Sequence, residues 1–172
     1  MDLNQQCQPI ELILSDVDGV LTDGRLTLDD HGVESKHFSA RDGMGIRLWQ
    51  NAGYRFGMIT ARRSEVVRLR AKELDIEILH QGATDKLAAM RQILDELHLA
   101  PEQVCYIGDD WPDLSVVRAA GLGVAVADAC EELREAADFV TRAIGGAGAV
   151  RELIEWVLEN QGRWEEVTRA YA

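Results

Sequence analysis

The sequence predicts an α/β fold: a doubly wound, Rossmann-like parallel sheet with helices on both faces, a small β-hairpin flap and no second domain. Three observations carry this. Short runs rich in Ile, Leu and Val alternate with longer segments of helical period, and several of those runs end in polar turns. No repeat or Ser/Pro-rich linker divides the 172 residues, a length that suits one domain spanning 1–172. Strands joined through helices run parallel and are covered on both faces, so ligands gather at their carboxyl ends.

Each element follows in order. Ile10 to Ser15 is an apolar strand that ends at Asp16-Val17-Asp18-Gly19. Arg25 to Leu28 and Val33 to Phe38 alternate around Asp29-Asp30-His31-Gly32, a hairpin flap over about 24–39. Asp42 is positioned to cap a helix running to Asn51, and Gly53 to stop it. Tyr54 to Ile59 is the next strand, and Ser64 caps a helix through Leu74. A short strand at Ile76 to Leu79 precedes a helix from Thr84 to His98. Val104 to Ile107 is a strand that ends in Gly108-Asp109-Asp110, followed by a helix near Pro112 to Ala120 and a strand at Gly123 to Ala127. After one more helix and a brief strand at Asp138 to Thr141 comes Gly145-Gly146-Ala147-Gly148, then a helix from Ala149 to Glu159. The tail, about 160–172, is polar enough to be partly loose.

Composition removes several function classes. Lys and Arg number 18 against 30 Asp and Glu, and the net charge of -12 argues against general attraction to nucleic acid or an anionic membrane. Cys7, Cys105 and Cys130 are odd in number and widely spaced, which fits a reducing, cytoplasmic setting without structural zinc. Met1 to Cys7 has no basic start or apolar run, and no stretch approaches the ~18 apolar residues of a membrane span.

Four polar clusters stand at strand ends: Asp16 with Asp18, Thr60, Lys86, and Asp109-Asp110-x-x-Asp113. Taken singly they have bland readings: an acidic turn, a capping hydroxyl, a solvated lysine and acids at a helix start. Gathered at one sheet edge, the carboxylates repel, by about 4 kcal/mol for two charges 4 Å apart at an effective dielectric of 20. One lysine cannot neutralise them all. A hard divalent cation such as Mg2+, which takes carboxylate and carbonyl oxygens together with phosphate, can. His31, His37, His80 and His98 have no spacing that favours zinc.

The ordered set Asp16-x-Asp18-Gly-Val-Leu-Thr, Thr60, Lys86 and Gly108-Asp109-Asp110-x-x-Asp113 resembles the motifs of the haloacid dehalogenase superfamily of phosphatases. The flap with Lys36, Arg41-Asp42-Gly43-x-Gly45-Ile46, Gln81-Gly82 and Gly145-Gly146-x-Gly148-Ala149-Val150-Arg151-Glu152 are similar to its capless subgroup acting on 3-deoxy-D-manno-octulosonate (KDO) 8-phosphate. That likeness runs from about Ile10 to Leu158; Ala61 departs from it, standing where the family usually has Gly. The resemblance implies a nucleophile at Asp16, an acid and base at Asp18, and Mg2+ held by Asp16, the Asp18 carbonyl and Asp109, with Asp110 and Asp113 behind them. It implies Thr60 and Lys86 on phosphoryl oxygens, and a homotetramer whose flaps and Gly-rich C-terminal regions cover neighbouring sites in place of a separate cap domain. A phosphorylated sugar acid also carries a carboxylate, for which Arg62, Arg70 and Lys86, with Arg41 and Arg151 from loops or a neighbour, are the candidate cations. Arg62 favours the eight-carbon acid, since similar phosphatases of nine-carbon sugar acids are more often acidic there.

Two other classes compete. A response-regulator receiver also uses acids, a hydroxyl and a lysine, but its phosphorylated aspartate follows a later strand. A noncatalytic assembly module of the same fold would not need both Asp16 and Asp18. Gly146-Ala147-Gly148 lies too late in the chain, and lacks the third glycine, for a dinucleotide fingerprint.

Overall fold

The computed structural model describes residues 2–171. A short helix α1 (Leu3–Cys7) leads into β1 (Leu12–Ser15), which is buried along its whole length because β4 (Arg55–Thr60) and β6 (Val104–Gly108) flank it in parallel. The sheet continues outward with β5 (Ile78–Gln81) beyond β4, and with β7 (Leu122–Ala125) and β8 (Phe139–Val140) beyond β6. All five pairings are parallel, in the order β5-β4-β1-β6-β7-β8. The chain winds one way from β1 and then crosses back to the other side. The reversal beside β1 opens a crevice at the carboxyl ends of β4, β1 and β6.

Right-handed crossovers put α2 (Ala40–Asn51) and α3 (Glu65–Glu73) on one face, and α4 (Lys86–Leu97), α5 (Leu114–Val117) and α6 (Glu131–Ala136) on the other. The helix α7 (Ala149–Asn160) returns to pack on α2, burying Val150, Leu153, Ile154, Val157 and Leu158. Gly45 permits that approach, since a side chain there would press on Arg151.

Four expectations need correction. The cap of α2 is Ser39, whose hydroxyl accepts from the Asp42 amide at 3.3 Å. Asp42 is instead buried and accepts from the Gly148 and Arg151 amides at 3.2 and 2.8 Å, stabilising the start of α7 from across the interface. The helix placed near Pro112 to Ala120 is only a 3-10 turn, Trp111–Asp113, and the four residues of α5. The described part of the tail, 160–171, is folded: α8 (Trp164–Thr168) packs on α2 and α7, and Arg163 bonds the Ala52 carbonyl at 3.2 Å. The flap strands β2 (Thr27–Leu28) and β3 (Glu34–Ser35) are two residues each, shorter than the alternation suggests.

Candidate active site

The centre of the site is fixed by strand ends. The Asp16 amide continues the ladder past β1 by donating to Ile107 at 3.0 Å, which delivers its carboxylate into the crevice. The chain then folds tightly, with the amides of Val20, Leu21 and Thr22 all aimed at the Val17 carbonyl. Gly19 sits at φ +93°, and a Cβ there would collide with the Asp109 carboxylate, so only glycine lets the first and fourth motifs meet. The glycine-rich loop supports that turn within the same chain: the Gly146 amide donates to Val20 at 2.8 Å.

Lys86 enters from the first position of α4, where Asp85 caps the helix by accepting from Ala88 at 2.9 Å. Its ammonium lies 3.0 Å from Asp16 Oδ1 and 2.6 Å from Asp113 Oδ1, with its side chain 3% exposed. Burial works against that charge, but the two carboxylates more than offset it and hold the lysine above its usual pKa. Asp113 is saturated: Oδ1 also accepts from the Tyr106 hydroxyl at 2.6 Å, and Oδ2 takes the amides of Asp109 and Asp110 at 3.1 and 3.4 Å.

Oxygens of Asp16, Asp109 and Asp113 lie within 4.8 Å of one another. Because Asp113 has no lone pair to spare, the pair free to take a cation is Asp16 and Asp109. Burial first, then the neighbouring carboxylates, push Asp16 up to about 6 and Asp109 up to about 8, with Lys86 partly opposing both. Two carboxylates confronting each other so far above their usual range need either a proton or a cation between them. An all-oxygen set without His or Cys suits a hard ion such as Mg2+. Thr60, 2% exposed at the end of β4, accepts from the Arg62 amide at 3.3 Å. Asp110 is exposed and gives Asp113 only its amide.

Asp18 faces a second cluster that sequence reasoning largely missed. Its Oδ1 receives Lys36 Nζ, whose side chain is fully buried, while its Oδ2 is buried without a hydrogen bond and has Arg62 Nε at 3.6 Å. Glu34 ties the two cations together, 2.9 Å from Arg62 and 3.3 Å from Lys36, and also accepts the Ser64 hydroxyl. That hydroxyl leads the interactions that hold Glu34 down to about 2, followed in turn by Arg62 and Lys36. One signal was available: Glu34 and Lys36 are two apart in the expected strand Val33 to Phe38, so alternation puts them on one face, with Ser35 between them exposed. For Tyr106 there was none beyond its place in a buried strand, where its hydroxyl requires a partner.

The remaining candidate arginines do not join these clusters within the chain. Arg70, in the last turn of α3, pairs with Glu73 at 2.8 Å and bonds the Ser39 carbonyl at 3.3 Å. Arg151 pairs with Glu155 at 2.5 Å over the Trp164 ring. Arg41 is exposed and makes no ion pair among the described residues. A cleft of about 640 Å³ lies at the opposite end of β4 and β5 and gathers none of the motif residues.

Comparison with known proteins agrees with this geometry. Residues 69–153 match the haloacid dehalogenase-like hydrolase family. The chain is 43% identical over 165 residues to the 3-deoxy-D-manno-octulosonate 8-phosphate phosphatase of Escherichia coli, covering 96% of this chain and 88% of the relative. The enzyme of that name from Moraxella catarrhalis, solved with a magnesium ion, a phosphate ion and KDO, superposes with a TM-score of 0.96 at 38% identity, covering 98% of this chain and 97% of that one. A probable phosphatase from Pseudomonas syringae gives a TM-score of 0.97 at 48% identity over 99% and 97% of the two chains.

Proposed function

This chain belongs to the haloacid dehalogenase-like hydrolase family, and from that premise we propose that it is a Mg2+-dependent phosphomonoesterase that hydrolyses KDO 8-phosphate to KDO and phosphate, a step toward lipopolysaccharide. The observation that carries the reading is the buried lysine shared by Asp16 and Asp113, with Asp109 confronting Asp16 across an all-oxygen gap.

Asp16 attacks phosphorus in line as the P–O bond to the sugar breaks, giving an aspartyl phosphate. Asp18 donates its proton to the departing sugar oxygen, then takes one from the water that cleaves the acyl phosphate and restores Asp16; such acid–base assistance is worth roughly 10² to 10⁴-fold. For that, Lys36 must release Asp18 Oδ1. Thr60 and Lys86 hold phosphoryl oxygens as charge develops on them. Asp113 orients Lys86, Tyr106 orients Asp113, and the Asp110 amide steadies the same carboxylate. When bound by Asp16, the Asp18 carbonyl and Asp109, Mg2+ supplies the positive charge that offsets these carboxylates and the phosphoryl oxygens.

Arg62 takes the substrate carboxylate in this reading, and Arg41 is free to serve a neighbouring site. Leu26, Leu28 and Val33 of the flap are all more than half exposed, and a hairpin of two-residue strands is marginal alone, which supports flap packing in a homotetramer. No helix of the described residues is long and apolar enough to cross a membrane, and the three cysteines are free, which supports a cytoplasmic setting. The test is phosphate release with Mg2+ from KDO 8-phosphate, nine-carbon sugar acid 9-phosphates and simple sugar phosphates. A preference of at least tenfold in kcat/KM for the first is expected; equal rates across the three would reject the assignment.

A further inference from the structure

The flap places a carboxylate where this enzyme needs to recognise one. Glu34 fills a pocket made by the Arg62 guanidinium, the Lys36 ammonium and the Ser64 hydroxyl, and each of these donates to it. The pocket lies one guanidinium's width beyond Asp18, because Arg62 has its Nε toward Asp18 and its terminal nitrogen on Glu34. It is firmly built. Ser64 is buried, caps α3 through the Val67 amide, and is anchored by its own amide to the Gln81 side chain at 2.6 Å. Glu34 itself comes from a two-residue strand that contributes no residue to the core.

We infer that Glu34 is an internal stand-in for the substrate's carboxylate: it occupies the Arg62, Lys36 and Ser64 pocket in the resting enzyme and is displaced by the sugar acid's own carboxylate. This rests on the sugar-acid phosphatase reading above and deepens it. Displacement takes Glu34 off both cations at once and puts the ligand's carboxylate on them in its place. An ester with a phosphate but no carboxylate has nothing to exchange for Glu34 and leaves it in the pocket. Selectivity then comes from a competition within the protein, added to the direct contacts with ligand.

The test compares Glu34→Gln with the wild type on two substrates, KDO 8-phosphate and p-nitrophenyl phosphate, with free KDO as a competitive inhibitor. The neutral amide keeps the size of the side chain but competes weakly for cations. KM for KDO 8-phosphate and the inhibition constant of KDO are expected to fall about three- to tenfold, with KM for p-nitrophenyl phosphate moving less than twofold. A rise in KM for KDO 8-phosphate would mean that Glu34 binds substrate, and equal shifts on both esters would mean a purely structural flap contact; either overturns the inference. Glu34→Ala, with melting temperature as the check on folding, must shift the two substrates in the same sense as Glu34→Gln. A wild type that cleaves p-nitrophenyl phosphate but not KDO 8-phosphate sinks the substrate reading itself, and this inference with it.

Discussion

The two sides of the Asp16-Val17-Asp18 turn are built on different principles. On the Asp16 side, Lys86, Asp113 and Tyr106 are buried, and their positions follow from the ends of β1 and β6 and the start of α4. On the Asp18 side, Lys36 and Glu34 come from a two-stranded hairpin whose apolar side chains Leu26, Leu28 and Val33 face outward. The first side depends on the packing of the sheet and is fixed when the chain folds. The second depends on a few charged contacts that a ligand can replace. Bond making is thus assigned to the fixed part and substrate choice to the exchangeable part.

The largest effect expected from breaking this contrast is on the fixed side. Asp16→Asn should fold and melt close to the wild type, yet lose at least about 10⁴-fold in kcat, because an amide is a poor nucleophile toward phosphorus. Near-native turnover would move the nucleophile elsewhere. Lys86→Met should lower kcat by about 10² to 10³-fold. It should also destabilise the metal-free protein by about 3 kcal/mol, since it strands two buried carboxylates; denaturant unfolding measures this.

A smaller effect concerns pH. Asp16 and Asp109 have folded pKa values above those of the unfolded chain, so their stabilising contribution is present below about pH 4 and is lost as pH rises through about 6 and then about 8. Metal-free protein should therefore melt progressively lower from pH 5 to 9. Added Mg2+ should raise the melting temperature by roughly 5 °C or more at pH 9 and far less at pH 5. A Mg2+ shift independent of pH would contradict the pairing of these two carboxylates. The smallest stability change belongs to the flap: Leu28→Asp, at an exposed position, should alter monomer stability by less than about 0.5 kcal/mol. Sedimentation should nevertheless show loss of the proposed tetramer, and an assembly that survives the change would remove the flap from its interface.

How much of this was legible in the sequence follows the same division. The succession of strands and helices, the four strand-end motifs and the helix caps at Ser64 and Gly53 could be read because local periodicity and backbone chemistry specify them. Asp42 misled because a carboxylate early in a helix looks like a cap, whereas its partners, Gly148 and Arg151, are more than a hundred residues away. The commitment of Arg70 to Glu73 and Ser39 depends on which way one turn of α3 faces, a detail that charge counting does not contain. Tyr106 was hidden within an apolar strand, and Glu34 acquires a role only when the flap folds over Arg62 and Ser64. Motifs carried by strand ends and helix starts could be read, whereas side-chain partners chosen only by tertiary packing could not.

The most direct measurement is the stereochemistry at phosphorus, using a phosphorothioate analogue of the substrate made chiral with two oxygen isotopes and hydrolysed in water of the third. Attack by Asp16 followed by attack of water inverts the centre twice, so the thiophosphate released should retain the configuration of the ester. Net inversion would mean that water attacks in a single step, and Asp16 would then have to be a ligand or base instead of the group that bonds to phosphorus.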